Sequence, residues 1–210
     1  MDRQRNRGQV LPRWLWMVLG LALLGWWLSP GQPDALAHAP GVLAPQAPSQ
    51  GPVRGDPPAR IDDFRIEALH SFELEARVLG REDYRFGTEA DLSPTDLALG
   101  WGRMSDSAVL ERLDISQGGR FYHYRWGGDG PPIPANEIVR SSANMHMIPA
   151  DAAVAAALRR IAPGQVVRLE GWLVRVVRDD GWHWSSSTTR EDSGAGACEL
   201  VLVTALWPSG

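Results

Sequence analysis

Residues 64–78 read FRIEALHSFELEARV, and this stretch decides the fold. Its even positions are Phe64, Ile66, Ala68, His70, Phe72, Leu74, Ala76 and Val78, while Arg and Glu fill most odd positions. Side chains that face one way at every second residue mark a strand with one buried face. The run is far longer than the usual strand of about five or six residues. The pattern therefore predicts one long bent strand or two strands in succession.

The same period recurs downstream. In RFYHYRW (120–126) Tyr122, Tyr124 and Trp126 share a face. QVVRLEGWLVRVVR (165–178) reads as a long strand with Gly171 in its middle, where a missing side chain marks a bulge or a sharp bend. Asp180-Gly181 makes a hairpin turn into WHWSSST, and CELVLVTAL, from Cys198 to Leu206, forms the last strand. One helix is expected from Asp151 to Ala162. Val154, Leu158 and Ile161 form its stripe, Asp151 suits its first turn, Arg159 and Arg160 its last, and Pro163-Gly164 stops it. A shorter helix fits Asp106–Leu113. The expected fold class is mainly β (α+β), a small bent barrel with one packed helix. Helix, Pro-Gly, long strand with a central Gly, hairpin and strand resembles the end of an OB-fold. That likeness implies an OB-like barrel and assigns no activity.

Upstream, residues 1–13 carry Arg3, Arg5, Arg7 and Arg13 against Asp2, a basic tail expected in the cytoplasm. Trp14–Leu28 is WLWMVLGLALLGWWL, 15 residues without a charge. As a helix it would rise about 22 Å, short of a hydrocarbon layer of roughly 30 Å. Trp14 and Trp16 at one end and Trp26 and Trp27 at the other match an interfacial aromatic belt, and Arg13 can snorkel outward. The segment is expected to be an uncleaved transmembrane signal-anchor; a signal peptide cleaved at Ala35-Leu36-Ala37 is the alternative. Either exports the rest of the chain. Residues 29–59 hold eight of the 16 prolines and are expected to form a disordered spacer, leaving residues 60–210 as the extracytoplasmic domain.

Every one of the 21 basic residues of this 210-residue chain is Arg. Setting aside the four Arg and one Asp of the first 28 residues leaves 17 Arg against 24 acids, a net charge of −7. An acidic exported domain argues against nucleic acid and against anionic headgroups as partners. A single Cys excludes an internal disulfide framework.

The strings DLALGWGRMSD (96–106), RFYHYRW, SSANMHMIPAD (141–151) and WHWSSSTTREDSGAGACELV (182–201) are similar to an uncharacterised family of bacterial exported or membrane-anchored proteins. The resemblance covers about residues 62–205. It implies an envelope location and a free-standing domain, and it carries over no catalytic residue.

Three groups of residues carry chemistry. Cys198 with His146 or His183 would suit a Cys/His-dependent hydrolase or transferase, although no nucleophile signature surrounds it. Met145-His146-Met147 offers thioether and imidazole ligands for Cu(I), but in a strand the two Met face away from the His. Ser186, Arg190 and Asp192 in SSSTTRED, with Asn144 upstream, could orient an anionic or sugar ligand through the Arg fork. Trp184 offers a stacking face, and Trp101, between two glycines, is either a rim residue or an exposed partner anchor. No P-loop, dinucleotide fingerprint or G-x-S-x-G elbow is present, and no cofactor is expected. The leading expectation is a single-pass inner-membrane protein whose periplasmic domain is a non-catalytic binding or interaction module for an envelope protein or small ligand. Cys/His catalysis and copper handling are the alternatives.

Overall fold

The computed structural model describes residues 12, 14–18, 20, 36–189 and 198–209. The chain falls into two units, Met1–Gln32 and Pro33–Gly210. Of the first, residues 14–18 are helical with Trp14 and Trp16 exposed, while Trp26 and Trp27 lie outside the described residues. Among the described residues no helix is long and apolar enough to cross a membrane.

The second unit is mainly β. Its strands are β1 (Ser49–Gly51), β2 (Arg60–Ile61), β3 (Phe64–Asp83), β4 (Thr95–Gly100), β5 (Leu113–Gly118), β6 (Phe121–Trp126), β7 (Ser142–Pro149), β8 (Val166–Val177), β9 (His183–Ser185) and β10 (Glu199–Pro208). Pairing runs β3–β4–β7–β10–β8 and returns from β8 to β3, so five strands close a ring. The β7–β10 pair is parallel and the other four are antiparallel. β1 and β2 add to β3, β9 adds to β8, and β5–β6 form a separate hairpin.

The alternating stretch 64–78 lies in one strand, but its apolar face does not serve one core. The β3–β8 register shifts between Ala68 and His70. The extra residue of such a bulge exchanges the two faces. Before it, Phe64 and Ile66 pack outside the ring with Val174, Val176, Leu200 and Leu202. After it, Phe72, Leu74, Ala76 and Val78 fill the ring with Leu97, Met145, Leu169 and Val201. A second shift between Val78 and Gly80 sets Arg81 opposite Leu97.

Buried Arg81 donates to the carbonyls of Leu158 and Ile161 and pairs with Asp83 at 2.8 Å. This explains a correction. The helix is Ala152–Leu158, not a run to Ala162, because Arg81 satisfies carbonyls that further helical turns would otherwise have to serve. Asp151 caps its start, accepting from Val154 N at 2.8 Å, and Val154 and Leu158 join the ring core. The shorter helix is Ser107–Leu110, with Asp106 as its cap.

Gly171 acts as its position predicted. A Cβ there would lie 1.9 Å from Leu202 O, so a bare backbone lets β8 approach β10 where that register also shifts.

The expected spacer needs correction from Leu36 onward. Leu36 N donates to Pro163 O (2.8 Å), Leu43 and Ala44 N both donate to Ser105 Oγ (3.0 Å), and Ala44 is fully buried. β1 pairs with β3, and Trp172 Nε1 donates to Arg54 O at 3.0 Å. Proline limits the conformations an unfolded segment can lose, so a Pro-rich strap is held against a sheet at reduced entropic cost. Residues 36–59 thus belong to the domain that was expected to begin at 60, and residues 29–35 lie outside the described residues.

Candidate functional site

On β4 and β7, Asp96 stands opposite His146 and Ala98 opposite Asn144. Leu97, Leu99, Met145 and Met147 fill the ring, so alternation turns Asp96, Asn144 and His146 outward. The thioethers and the imidazole of Met145-His146-Met147 consequently lie on opposite faces of the strand. Among the described residues no group of three His, Cys, Asp or Glu converges as a metal would need.

Over the outward face lies the β5–β6 hairpin. Its turn carries Arg120 at φ 71°, a left-handed conformation that a side chain adopts at some cost. That turn sends the guanidinium under the hairpin. Arg120 Nη1 reaches Asp96 Oδ1 at 2.7 Å and Ser93 O at 2.9 Å, and its Nε lies 3.6 Å from Glu89. Asn144 Nδ2 donates to Asp96 Oδ2 (3.1 Å) and to Arg120 O (3.0 Å), and Gln117 Nε2 donates to Asn144 Oδ1 (2.8 Å). His146 Nδ1 lies 2.9 Å from Asp96 Oδ1 but off the direction of a ring N–H, so that contact is close without being an aligned hydrogen bond. Tyr84 lies under the guanidinium, 3.7 Å from ring centre to Arg120 Cζ, and its hydroxyl accepts from Arg120 N. Burial first, and then the Asp96 charge, push the Tyr84 phenol up to about 12.

No protein-family model, no curated protein and no solved structure matches this chain. The site is therefore read from its own geometry. Cys198 is partly exposed, and its Sγ donates to Arg120 O at 3.8 Å, the carbonyl that Asn144 also serves. Trp184 is half-buried, 4.6 Å from the His146 ring centre to centre and 5.5 Å from Arg120 Cζ. The structure thus gathers Asn144, His146, Trp184 and Cys198 around Arg120. It places the other expected residues elsewhere. Trp101 is 2% exposed and part of the ring core, so it is not an exposed anchor. Ser186 Oγ accepts from Leu200 N and donates to Ser187 O, joining the end of β9 to β10. His183 is exposed on β9, and Arg190 and Asp192 lie outside the described residues.

Sequence reasoning passed over Asp96, Arg120, Tyr84 and Gln117. Two signals were available: one acid inside the apolar TDLALG, and an Arg directly after Gly118-Gly119. Chemically the cluster is a clamp. Arg120, Asp96, Asn144 and Gln117 Nε2 bond to one another and fix the hairpin to the ring, while His146 Nδ1 and Gln117 Oε1 make no aligned hydrogen bond.

A second feature was not foreseen. An open cleft of about 520 Å3 lies between the strap Ser49–Gly55 and the outer side of the ring at Ser71–Glu73, Glu170–Trp172 and Thr204. Glu73 stands directly opposite Glu170, with Arg168 Nη2 at 3.9 and 3.5 Å from their carboxylates.

Proposed function

We propose that this chain is a single-pass bacterial envelope protein, cytoplasmic at its N-terminus, whose acidic extracytoplasmic domain binds an envelope protein or small ligand without catalysis. The membrane part of this reading rests on the apolar run 14–28 and the Arg residues before it. The scaffold is read as an OB-like barrel. The strand order, the parallel β7–β10 pair and a helix between the third and fourth ring strands support it. In that comparison the nucleic-acid face is the outer side of β4 and β7, which here lies under the β5–β6 hairpin. With a net charge of −7 beyond residue 28, this favours a partner other than nucleic acid.

The observation that carries the reading is the engagement of the chemically capable side chains. Arg120, Asp96, Asn144 and the Cys198 thiol are tied into the clamp, while the strap cleft stands open. Paired native and denaturing mass spectrometry of the full chain in neutral detergent tests it. A non-covalent mass excess identifies a held ligand or metal, and a bare mass directs the search to protein partners.

One arrangement favours a second reading, a Cys/His-dependent hydrolase or transferase. Asp96, Asn144 and His146 share a face, and Cys198 meets it at Arg120 O. A nucleophile must be a thiolate, whereas this thiol donates its proton to a carbonyl. Covalent labelling of Cys198 by iodoacetamide at neutral pH, at a rate well above that of a free thiol, would replace the first reading with the second.

A further inference from the structure

We infer that the strap cleft is a binding site for a sugar-sized, polyhydroxylated neutral ligand. The inference rests on the reading of the domain as a binding module and names its site and ligand class. The volume of about 520 Å3 falls in the range of small-molecule sites. Its walls carry both charge signs. Exposed Arg54 lies on the strap, and the Glu73 and Glu170 carboxylates lie on the sheet. A cation would meet the carboxylates but face Arg54, and an anion the reverse. A hydroxyl donates to carboxylates and accepts from a guanidinium, so a polyol satisfies both walls at once.

Trp172 supplies an aromatic wall. Its indole nitrogen donates to Arg54 O, and its ring edge meets Gly55, so the ring is fixed before any ligand arrives. Ser71 and Thr204 add hydroxyls whose oxygens are already oriented: Ser71 Oγ accepts from Arg54 N at 2.7 Å and Thr204 Oγ1 donates to Glu170 O at 3.1 Å.

The test titrates the 15N-labelled full chain in neutral detergent with maltose, cellobiose and N,N′-diacetylchitobiose, using agmatine and citrate as charged controls. The readout is the indole resonance of Trp172, identified by its loss in Trp172→Phe. Saturable movement with at least one disaccharide, in about the millimolar range, and not with the controls is the expected result. Arg54→Gln and Glu73→Gln, both exposed and harmless to the core, should each weaken it about three- to tenfold. No movement with any disaccharide, equal movement with agmatine, or binding indifferent to both substitutions would overturn the assignment. A ligand seen by native mass spectrometry while the Trp172 resonance stays still would leave the binding-module reading intact and remove only this site.

Discussion

Arg120 and Asp96 meet at 2.7 Å across the seam between hairpin and ring, with Asp96 fully buried. Among the described residues the hairpin's strands pair with each other, so this contact, the bonds from Gln117 to Asn144 and from Asn144 to Arg120 O, and the packing of Tyr124 against Met104, Val109, Ile133 and Ile138 hold it down. Removing one partner of a buried pair leaves an uncompensated charge, which costs about 3–5 kcal/mol. Arg120→Met should lower stability in urea by that order. Asp96→Leu combined with Arg120→Met should recover more than half of the loss, because a buried pair replaced by apolar residues is often neutral. A double variant as unstable as the single one would mean that Arg120 acts through its turn conformation instead.

All three tyrosines of the chain, Tyr84, Tyr122 and Tyr124, are shifted upward, in each case chiefly by burial. A phenol whose folded pKa lies above its unfolded value near 10 contributes stability that is complete below pH 10 and lost as pH rises toward the folded value, about 12 for Tyr84. Phenolate absorbance should therefore be nearly absent at pH 10 and appear together with the loss of near-ultraviolet circular dichroism. A half-titrated, still folded chain at pH 10 would contradict the packing of Tyr122 and Tyr124 under the hairpin.

How much of this could be read from residues alone varies by element. β3, β6 and β8 announced themselves because each has a face exposed enough to alternate, and β10 did so by its continuous apolar run. β4 did not, since all six of its residues are buried and TDLALG shows no period. It is covered inside by the ring core and outside by the hairpin, and that covering also hides Asp96. Arg120 was invisible for another reason. Its partners lie on β4 and β7 and on the segment just before β4, 24 residues or more from it in either direction, and only the fold brings them together. The strap misled because composition reports what a segment can do alone, whereas Ala44 is buried by contacts that the rest of the domain supplies.

The strap should loosen in acid. Asp106 accepts from the Gly41 amide at 2.8 Å and the Ala108 amide at 2.9 Å, and these bonds, with Arg103 nearby, hold its carboxyl below the ordinary value of 3.8. A depressed folded pKa gives stability that is present above the unfolded value and lost as pH falls through the folded one. Hydrogen-exchange protection of residues 36–51 should be flat from about pH 8 to 5 and fall below about pH 4, ahead of the ring strands. Asp106→Asn should lower that protection at neutral pH. Ser105→Ala should do the same by about 1–2 kcal/mol, because it strands the amides of Leu43 and Ala44. Equal protection in strap and ring throughout would show the strap to be inseparable from the core.

Two glycine substitutions separate ring closure from hairpin turn. A Cβ at Gly171 would sit 1.9 Å from Leu202 O and 2.9 Å from Leu202 C, both backbone atoms that cannot rotate aside. Gly171→Ala must then push β8 from β10 at a register shift that the ring needs in order to close. The expected cost is about 3 kcal/mol or more, or failure to fold. At Gly118, on the hairpin, a Cβ meets nothing within 4 Å, and Gly118→Ala should change stability by no more than about 0.5 kcal/mol. Thermal melts of both variants decide the matter. If Gly171→Ala melts with the parent, the close approach of β8 and β10 is not what bends the sheet, and the bend must then come from the bulge in β3 alone.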